Sequence, residues 1–137
     1  MSDKDTKRNK IKKPASLKKK TPSLRVATLP ENTNHRGDIF GGWLQSQMDL
    51  AGAAKAWEET GCNIATRFAE TSFEQPIFVG DIVEFYTDIQ KMGNTSVTVS
   101  MDVWALRRMK QEYVKVASGK YTYVAIDKDR KPMPIPS

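Results

Sequence analysis

The sequence predicts an α+β fold in which one antiparallel sheet wraps around a single long helix. Residues 41–60 carry apolar or small side chains on nearly every side, which is typical of a buried helix. After this segment, apolar and polar residues alternate in a series of strand-like stretches. The chain has 137 residues, the size of one compact domain. These observations together favour a helix enclosed by one sheet.

The first strand and the helix have clear local boundaries. A short apolar stretch, Leu24–Leu29, predicts an opening strand that Pro30 closes. A polar loop rich in turn-forming residues follows, and the pair Gly41-Gly42 starts the helical segment. Gly61 is expected to end it, because glycine is favoured just past a helix C-terminus.

Everything after the helix is predicted to be strand. Ile64–Phe73 is compatible with a strand, and Ile82–Gln90 alternates apolar and polar residues, as does the segment around 97–104. Tyr113–Ala125 makes a last strand. A single sheet of this kind has free edges, and edges are usually protected by pairing, so we expect a dimer with a continuous sheet.

The formal net charge of +6 is concentrated at the N-terminus. Residues 1–20 hold nine Lys or Arg against two Asp, whereas residues 21–137 hold thirteen basic and fourteen acidic side chains. Because residues 1–22 contain almost nothing to bury, we predict a disordered basic tail before a domain of residues 23–137. A nucleic-acid-binding domain would carry its excess charge on the fold, so specific nucleic-acid binding is not expected. A solubilising extension is favoured for the tail over weak contacts with an anionic partner.

Composition predicts a cytoplasmic protein without a membrane span. No apolar run approaches the roughly 18–20 residues that cross a bilayer. The basic N-terminus is not followed by the apolar segment of a secretory signal. Cys62 is the single cysteine, which cannot form an internal disulfide and suits a reducing compartment. No Cys/His cluster in the sequence has the spacing of a metal site, so we expect no metal.

The densest polar stretch beside the predicted core runs from Asn34 to Asp49. Gly41 and Gly42 would let a ligand approach the free N–H groups of the helix start, although a tight turn or close packing would need the same pair. Asp49 lies in the middle of an apolar helix, so it is either a hydrogen-bonded structural residue or a functional one. Asp38 is a second candidate carboxylate, or a residue that only favours the helix dipole.

Distance along the helix limits how these residues can combine. At about 1.5 Å per residue, Gly42 and Asp49 are about 10 Å apart along the axis. An oxyanion donor and a water or nucleophile must both lie within about 3 Å of one reacting carbon. One chain cannot meet both conditions with these two residues. If both act, the site lies across a dimer, with Gly42 and Asp38 from one subunit and Asp49 from the other.

Short motifs at the helix start and at the strand ends occur in a defined order along the chain. They read Gly37-Asp38-Ile39-Phe40-Gly41-Gly42-Trp43, Ser46-Gln47-Met48-Asp49, Phe73…Pro76…Val79-Gly80-Asp81, Gly93-Asn94-Thr95-Ser96-Val97 and Tyr123-Val124-Ala125-Ile126-Asp127. Together they resemble the YciA-type acyl-CoA thioesterases of the hotdog superfamily, over roughly residues 24–136. The motif at the helix start is the specific part of this resemblance.

The resemblance implies a hotdog fold and hydrolysis of acyl-CoA to a free acid and coenzyme A. It also implies dimers, usually three to a hexamer, with active sites at the dimer interface. By resemblance, Asp49 is the catalytic carboxylate, Asp38 is its counterpart at the helix start, and the Gly42 N–H polarises the thioester carbonyl. Whether Asp49 activates water or attacks the thioester directly stays open. No cofactor is implied, because coenzyme A belongs to the substrate.

A larger set of residues is expected to contact the acyl chain or coenzyme A. It consists of Asn34, Gly41, Phe73, Lys91, Gly93, Asn94, Thr95 and Ser96, of which the last five match a segment that approaches coenzyme A in relatives. Arg107 and Arg108 form, with Lys110, a basic cluster that is either a phosphate contact or a solvated strand end. Many relatives carry a basic residue where Gln75 stands, so no phosphate contact is expected at that position.

Other classes of protein fit the sequence less well. Hotdog hydratases pair an Asp with a His, and the single histidine, His35, lacks that spacing. A Ser or Cys triad meets the same difficulty, since Cys62 has no adjacent base. The competing class is a non-catalytic acyl-CoA-binding or regulatory module with the same fold. Two carboxylates near the thioester argue against it.

Overall fold

The computed structural model describes residues 11–137 and contains the helix and five strands that the sequence predicts. These elements are β1 (Leu24–Ala27), α1 (Gly41–Thr60), β2 (Ile64–Phe73), β3 (Ile82–Met92), β4 (Ser96–Arg107) and β5 (Glu112–Ala125). One-turn 3₁₀ helices occupy Ala15–Leu17 and Pro30–Asn32. Gly61 ends α1 with a φ of 68°, a left-handed conformation that glycine adopts at no steric cost. The predicted bounds of α1 are confirmed.

The five strands form one antiparallel sheet in the order β1-β3-β4-β5-β2. Val83 lies opposite Ala105, and Val103 lies opposite Ala117. Because side chains alternate along a strand, these residues share one face of the sheet, and that face carries the core. Within the described chain β1 and β2 are the outermost strands, so β2 has one long edge without a strand beside it.

Helix α1 packs across the apolar face of the sheet. Its buried positions are Trp43, Leu44, Met48, Ala51, Gly52 and Ala56. They meet a layer in which Tyr121, Tyr123 and Phe85 are fully buried. Burial of side chains of this size contributes about 1.5–3 kcal/mol each, so the contact fixes the helix on the sheet. The predicted architecture, a sheet wrapped around one helix, is confirmed.

The opposite side of α1 differs from the prediction of a helix buried all round. Leu50 and Trp57 are 61% and 58% exposed in the single chain, and Phe68 and Phe73 of β2 are each 53% exposed. One copy therefore leaves an apolar helix face and a sheet edge uncovered. Both are features that proteins usually cover by association.

The described part of the predicted tail lies against the sheet. Leu17 is buried, and the Lys13 ammonium lies 5.2 Å from the centre of the Tyr86 ring. This differs from the expectation of disorder over residues 11–22, because the cation–π contact with Tyr86 and an ion pair of Lys20 with Asp88 tie the segment to β3. The disorder predicted for residues 1–10 lies outside the described residues, and the domain boundary stays a prediction.

Glu84 is a charged residue buried on the face of the sheet turned away from α1. Its carboxylate accepts hydrogen bonds from Arg25 Nε at 2.9 Å, from the Tyr113 hydroxyl at 3.2 Å and from the Tyr86 hydroxyl. A buried carboxylate is tolerated when it is paired and hydrogen-bonded in this way. Burial, together with this carboxylate, raises the pKa of Tyr86 and of Tyr113.

Asp81 and Arg107 close the corner where β3 begins and β4 ends. The two side chains form an ion pair and are only 5% and 12% exposed. Asp81 also accepts from the Phe78 N–H at 2.9 Å, while Arg107 donates to the Pro76 carbonyl at 2.8 Å. The Arg107 guanidinium lies 4.5 Å from the centre of the Phe78 ring. This pair therefore holds the 76–80 turn against the sheet.

Removal of the Arg107 cation would leave the Asp81 carboxylate buried without its partner. We expect Arg107→Met to lower the free energy of unfolding by about 3–5 kcal/mol. Arg108→Met, at the exposed neighbouring position, should change it by less than about 0.5 kcal/mol. Urea unfolding followed by circular dichroism measures both values. Equal stability of the two variants would contradict a structural role for the pair.

All four tyrosines of the chain, Tyr86, Tyr113, Tyr121 and Tyr123, have raised pKa values, chiefly because burial disfavours the phenolate. Each folded tyrosine keeps its proton above the unfolded pKa of about 10. The free energy of unfolding should therefore fall as the pH rises beyond about 10. Below that pH these groups should add no pH dependence, because they are protonated in both the folded and the unfolded chain. Phenolate absorbance and circular dichroism should change together during an alkaline titration. Phenolate that forms while the dichroism stays native would overturn this expectation.

Candidate active site

The N-terminus of α1 opens on a cavity of about 370 Å³. Phe40, the residue before the helix, makes no side-chain cap, so it leaves the first N–H groups of Gly41 and Gly42 uncovered. Both glycines are exposed, and Gly41 lines the cavity. Bare amides at the positive end of a helix dipole can stabilise a negative charge on a bound oxygen.

Four of the predicted site residues line this cavity, namely Asn34, Asp38, Gly41 and Phe73. The Asn34 side-chain oxygen accepts from the backbone N–H groups of Arg36 at 2.9 Å and of Asp38 at 3.2 Å. Asp38 also forms a backbone bridge with Phe78, in the turn that Asp81 and Arg107 hold. The loop that presents Asp38 is therefore braced from two sides.

Two further lining residues, Arg36 and Gln75, affect the charge of the cavity wall. Arg36 contributes a cation to the cavity wall, whereas the sequence placed the basic candidates elsewhere. Gln75 also lines the cavity, so the position without a basic residue faces the same space. Nothing in the local pattern around Arg36 distinguishes it from an ordinary loop cation. Its assignment depends on the folding of the loop over the helix start.

Asp49 lies about two turns further along α1, where the helix faces β2 and β5. Its Oδ1 accepts a hydrogen bond from the Thr66 hydroxyl at 2.8 Å, and its backbone carbonyl accepts one from the Tyr123 hydroxyl at 3.1 Å. The residue is partly exposed. Its other carboxylate oxygen has no hydrogen bond from residues 11–137. One oxygen is thus held in place, and the second, the open oxygen, carries no hydrogen bond from these residues.

Asp49 also acts on the buried tyrosines behind it. Burial and the negative charge of Asp49 raise the pKa of Tyr123. Burial likewise raises the pKa of Tyr121, with a smaller contribution from the Asp49 charge. Both hydroxyls therefore stay protonated at neutral pH and remain hydrogen-bond donors. These contacts were not predictable from the sequence, because Thr66, Tyr121 and Tyr123 look like ordinary strand residues.

The single chain does not bring all the predicted residues together. Lys91 and the turn Gly93–Ser96 lie where β3 meets β4, and the Thr95 carbonyl accepts from the Ala125 N–H at 2.8 Å. This end of the sheet is opposite to the end that holds Phe73 and the cavity. The predicted residues therefore form two groups, one at each end of the sheet, with Asp49 between them.

The structure does not support the phosphate contact predicted for Arg107, because its guanidinium already has partners within the chain. Asp81 and the Pro76 carbonyl occupy its guanidinium, and they lie 26 and 31 residues away in sequence. The basic cluster in the sequence therefore indicated a cation at this position, but it did not indicate that Asp81 pairs with it. Arg108 is exposed and lines, with Lys110, a second cavity of about 550 Å³.

Two classes of feature are absent from residues 11–137. No three His, Cys, Asp or Glu side chains there lie together in a way that could hold a metal ion. No helix of that range is both long and apolar enough to span a membrane.

Known proteins resemble the chain in both sequence and structure. The model of the thioesterase superfamily matches residues 36–111. The acyl-CoA thioester hydrolase YciA of Salmonella typhimurium is 42% identical over 118 residues, which cover 82% of this chain and 88% of that protein. Cj0915, a hexameric hotdog fold thioesterase of Campylobacter jejuni, superimposes with a TM-score of 0.80 at 39% identity, covering 84% of this chain and 90% of its own. For y2039, a hexameric thioesterase of Yersinia pestis, the TM-score is 0.82 at 37% identity, with coverages of 88% and 99%. The chain belongs to the thioesterase superfamily, as a hotdog-fold member of the YciA type.

Proposed function

We propose that this chain hydrolyses the thioester of acyl-CoA to a free carboxylic acid and coenzyme A, at a site shared between two copies. The arrangement on α1 carries the proposal. The helix start offers two bare amides to a cavity that Asp38 lines, and Asp49 presents an open carboxylate oxygen on the same helix. Relatives named acyl-CoA thioester hydrolases, at 42% and 40% identity, support the substrate class.

The shared site follows from the pairing of two β2 edges. Antiparallel self-pairing about the centre of β2 sets the Thr66 end of one strand against the Phe73 end of the other. Within one strand these ends are about 23 Å apart, at about 3.3 Å per residue. Thr66 holds Asp49, and the Phe73 ring lies 3.3 Å from where a Cβ on Gly41 would be. The pairing therefore places Asp49 of the partner subunit on the side of the dimer where the cavity lies.

In this dimer the reaction divides between the two copies. The Gly42 N–H donates to the thioester carbonyl oxygen and stabilises its negative charge as the carbonyl carbon becomes tetrahedral. Asp49 of the partner subunit acts through its open oxygen, either taking a proton from an attacking water or attacking the carbonyl carbon itself. The carbon–sulfur bond then breaks, and coenzyme A leaves as the thiol with a proton that comes from water. In the direct-attack route the acyl group remains on Asp49 as an anhydride, and water then hydrolyses this anhydride to the free acid and restores the carboxylate. Asp38 orients the substrate from the cavity wall.

Recognition of coenzyme A uses cations and amides from both ends of the sheet. Lys91 and the turn Gly93–Ser96 belong to the copy that supplies Asp49, because they lie near its end of the sheet. Arg36 and Arg108 belong to the copy that supplies the cavity. Charge-assisted hydrogen bonds from such groups suit the phosphates of coenzyme A. Arg107 is left out of this set, since its guanidinium is already paired with Asp81.

The reaction as proposed consumes water and needs no cofactor. We propose a hexamer of three dimers, and solved relatives described as hexameric support the six-copy assembly. We also propose a cytoplasmic location, supported by the single free cysteine, Cys62, which is buried.

Asp49→Asn removes the reactive charge while keeping the size of the side chain. We expect kcat for acyl-CoA hydrolysis to fall by about 10²–10⁴-fold, because the variant can neither accept a proton nor attack. Release of the coenzyme A thiol, followed over a series of acyl chain lengths, measures this. Asp129→Asn, in an exposed turn, is the matched control and should keep normal turnover. Turnover by Asp49→Asn close to the unmodified rate would refute the assigned role.

Phe68 lies at the middle of β2, where two copies would meet. Phe68→Lys would bring like charges together across the two-fold axis, so we expect a weaker dimer and activity that falls in proportion to the dimer fraction. Sedimentation velocity and activity over a range of protein concentrations measure both. Ser100→Lys, on central strand β4, is the control that should keep the dimer. Full activity in a monomeric Phe68→Lys would exclude a shared site.

A further inference from the structure

Two hydroxyl groups from neighbouring strands converge on the residue assigned as the catalytic carboxylate. Thr66 of β2 and Tyr123 of β5 are direct cross-strand partners on the face of the sheet that packs on α1. The Thr66 hydroxyl donates to Asp49 Oδ1 at 2.8 Å, and the Tyr123 hydroxyl donates to the Asp49 backbone carbonyl at 3.1 Å. The side chain and the backbone of one residue are thus held by one pair on the sheet.

Gly52 sets the spacing of this contact. It lies three residues after Asp49, on the side of α1 that faces the sheet. A Cβ at this position would lie 2.3 Å from the Tyr123 hydroxyl oxygen and 3.1 Å from the Met101 methyl carbon. Glycine inside a helix costs about 1 kcal/mol relative to alanine. The position therefore gives up helix stability and allows the tyrosine to reach the helix backbone.

We propose that Thr66 and Tyr123 are positioning residues for Asp49, and that Gly52 makes their arrangement possible. The proposal rests on the thioesterase function argued above. Thr66 selects one orientation of the carboxylate and leaves the second oxygen free for the reaction. Tyr123 fixes the height of the helix backbone above the sheet at Asp49. In a shared site this height also sets the distance from Asp49 to the cavity of the partner subunit. A small displacement of a catalytic group lowers the reaction rate strongly.

The first test removes one hydroxyl at a time. Thr66→Val and Tyr123→Phe keep the shape of each side chain, and we expect each to lower kcat about tenfold or more while KM changes by less than about threefold. Thr66→Ser, which keeps a hydroxyl, should recover most of the loss. Tyr113→Phe and Thr98→Val, which lie outside the site, are the matched controls and should keep normal kcat.

The second test uses the close approach at Gly52. Gly52→Ala forces the helix and Tyr123 apart, so we expect a large loss of kcat. Adding Tyr123→Phe removes the atom that would lie 2.3 Å away, which leaves contacts of 3.1 Å, so the double variant should be more active than Gly52→Ala alone. A double variant no better than Gly52→Ala would contradict the spacing role. If Gly52→Ala does not fold, the two hydroxyl variants still decide the proposal.

The outcomes distinguish this proposal from the function on which it rests. If Asp49→Asn is inactive while Thr66→Val and Tyr123→Phe keep normal kcat, the positioning role is wrong and the thioesterase assignment stands. If Asp49→Asn is itself fully active, the assignment of the catalytic carboxylate fails, and the positioning role fails with it.

Discussion

The rigidity of one helix determines how the rest of this structure can work. Gly42 and Asp49 are seven residues apart on α1, which keeps them about 10 Å apart in any state of the folded chain. A thioester carbonyl cannot contact both within one copy. The free edge of β2 offers a solution. Antiparallel pairing of two such edges places the Thr66 end of one strand beside the Phe73 end of the other. The exposed apolar side chains Leu50 and Trp57 agree with a chain that is completed by association.

Local chemistry made much of the fold predictable from sequence. Gly61 marks the end of α1 because a left-handed residue is needed there, and the alternation along β3 and β4 follows from one buried face. The covering of β3 by residues 11–22 was not predictable. It depends on the Tyr86 ring and the Asp88 carboxylate, which a strand far along the chain contributes. Composition alone described that segment as polar.

The candidate site was predictable to a similar extent. Asp38, Gly42 and Asp49 stand out because glycines and carboxylates beside an apolar helix conflict with ordinary packing. Thr66 and Tyr123 do not stand out, since a threonine and a tyrosine are favoured strand residues. Their roles arise from cross-strand register and from the missing Cβ at Gly52, which only the folded chain reveals. For the same reason, the pairing of Arg107 with Asp81 was not predictable, since local sequence shows only the basic residues around Arg107.

Mixing two defective variants tests the shared site most directly. Asp49→Asn lacks the carboxylate, and Gly42→Val blocks the approach to the helix amides. Each is first measured alone, and the two are then dissociated, mixed in equal amounts and reassociated. A site built from two copies predicts that about one quarter of the sites regain function, since each mixed dimer, about half of the population, contains one intact site. Activity of the mixture no higher than the mean of the two parents, with mixed dimers shown to form, would contradict the account.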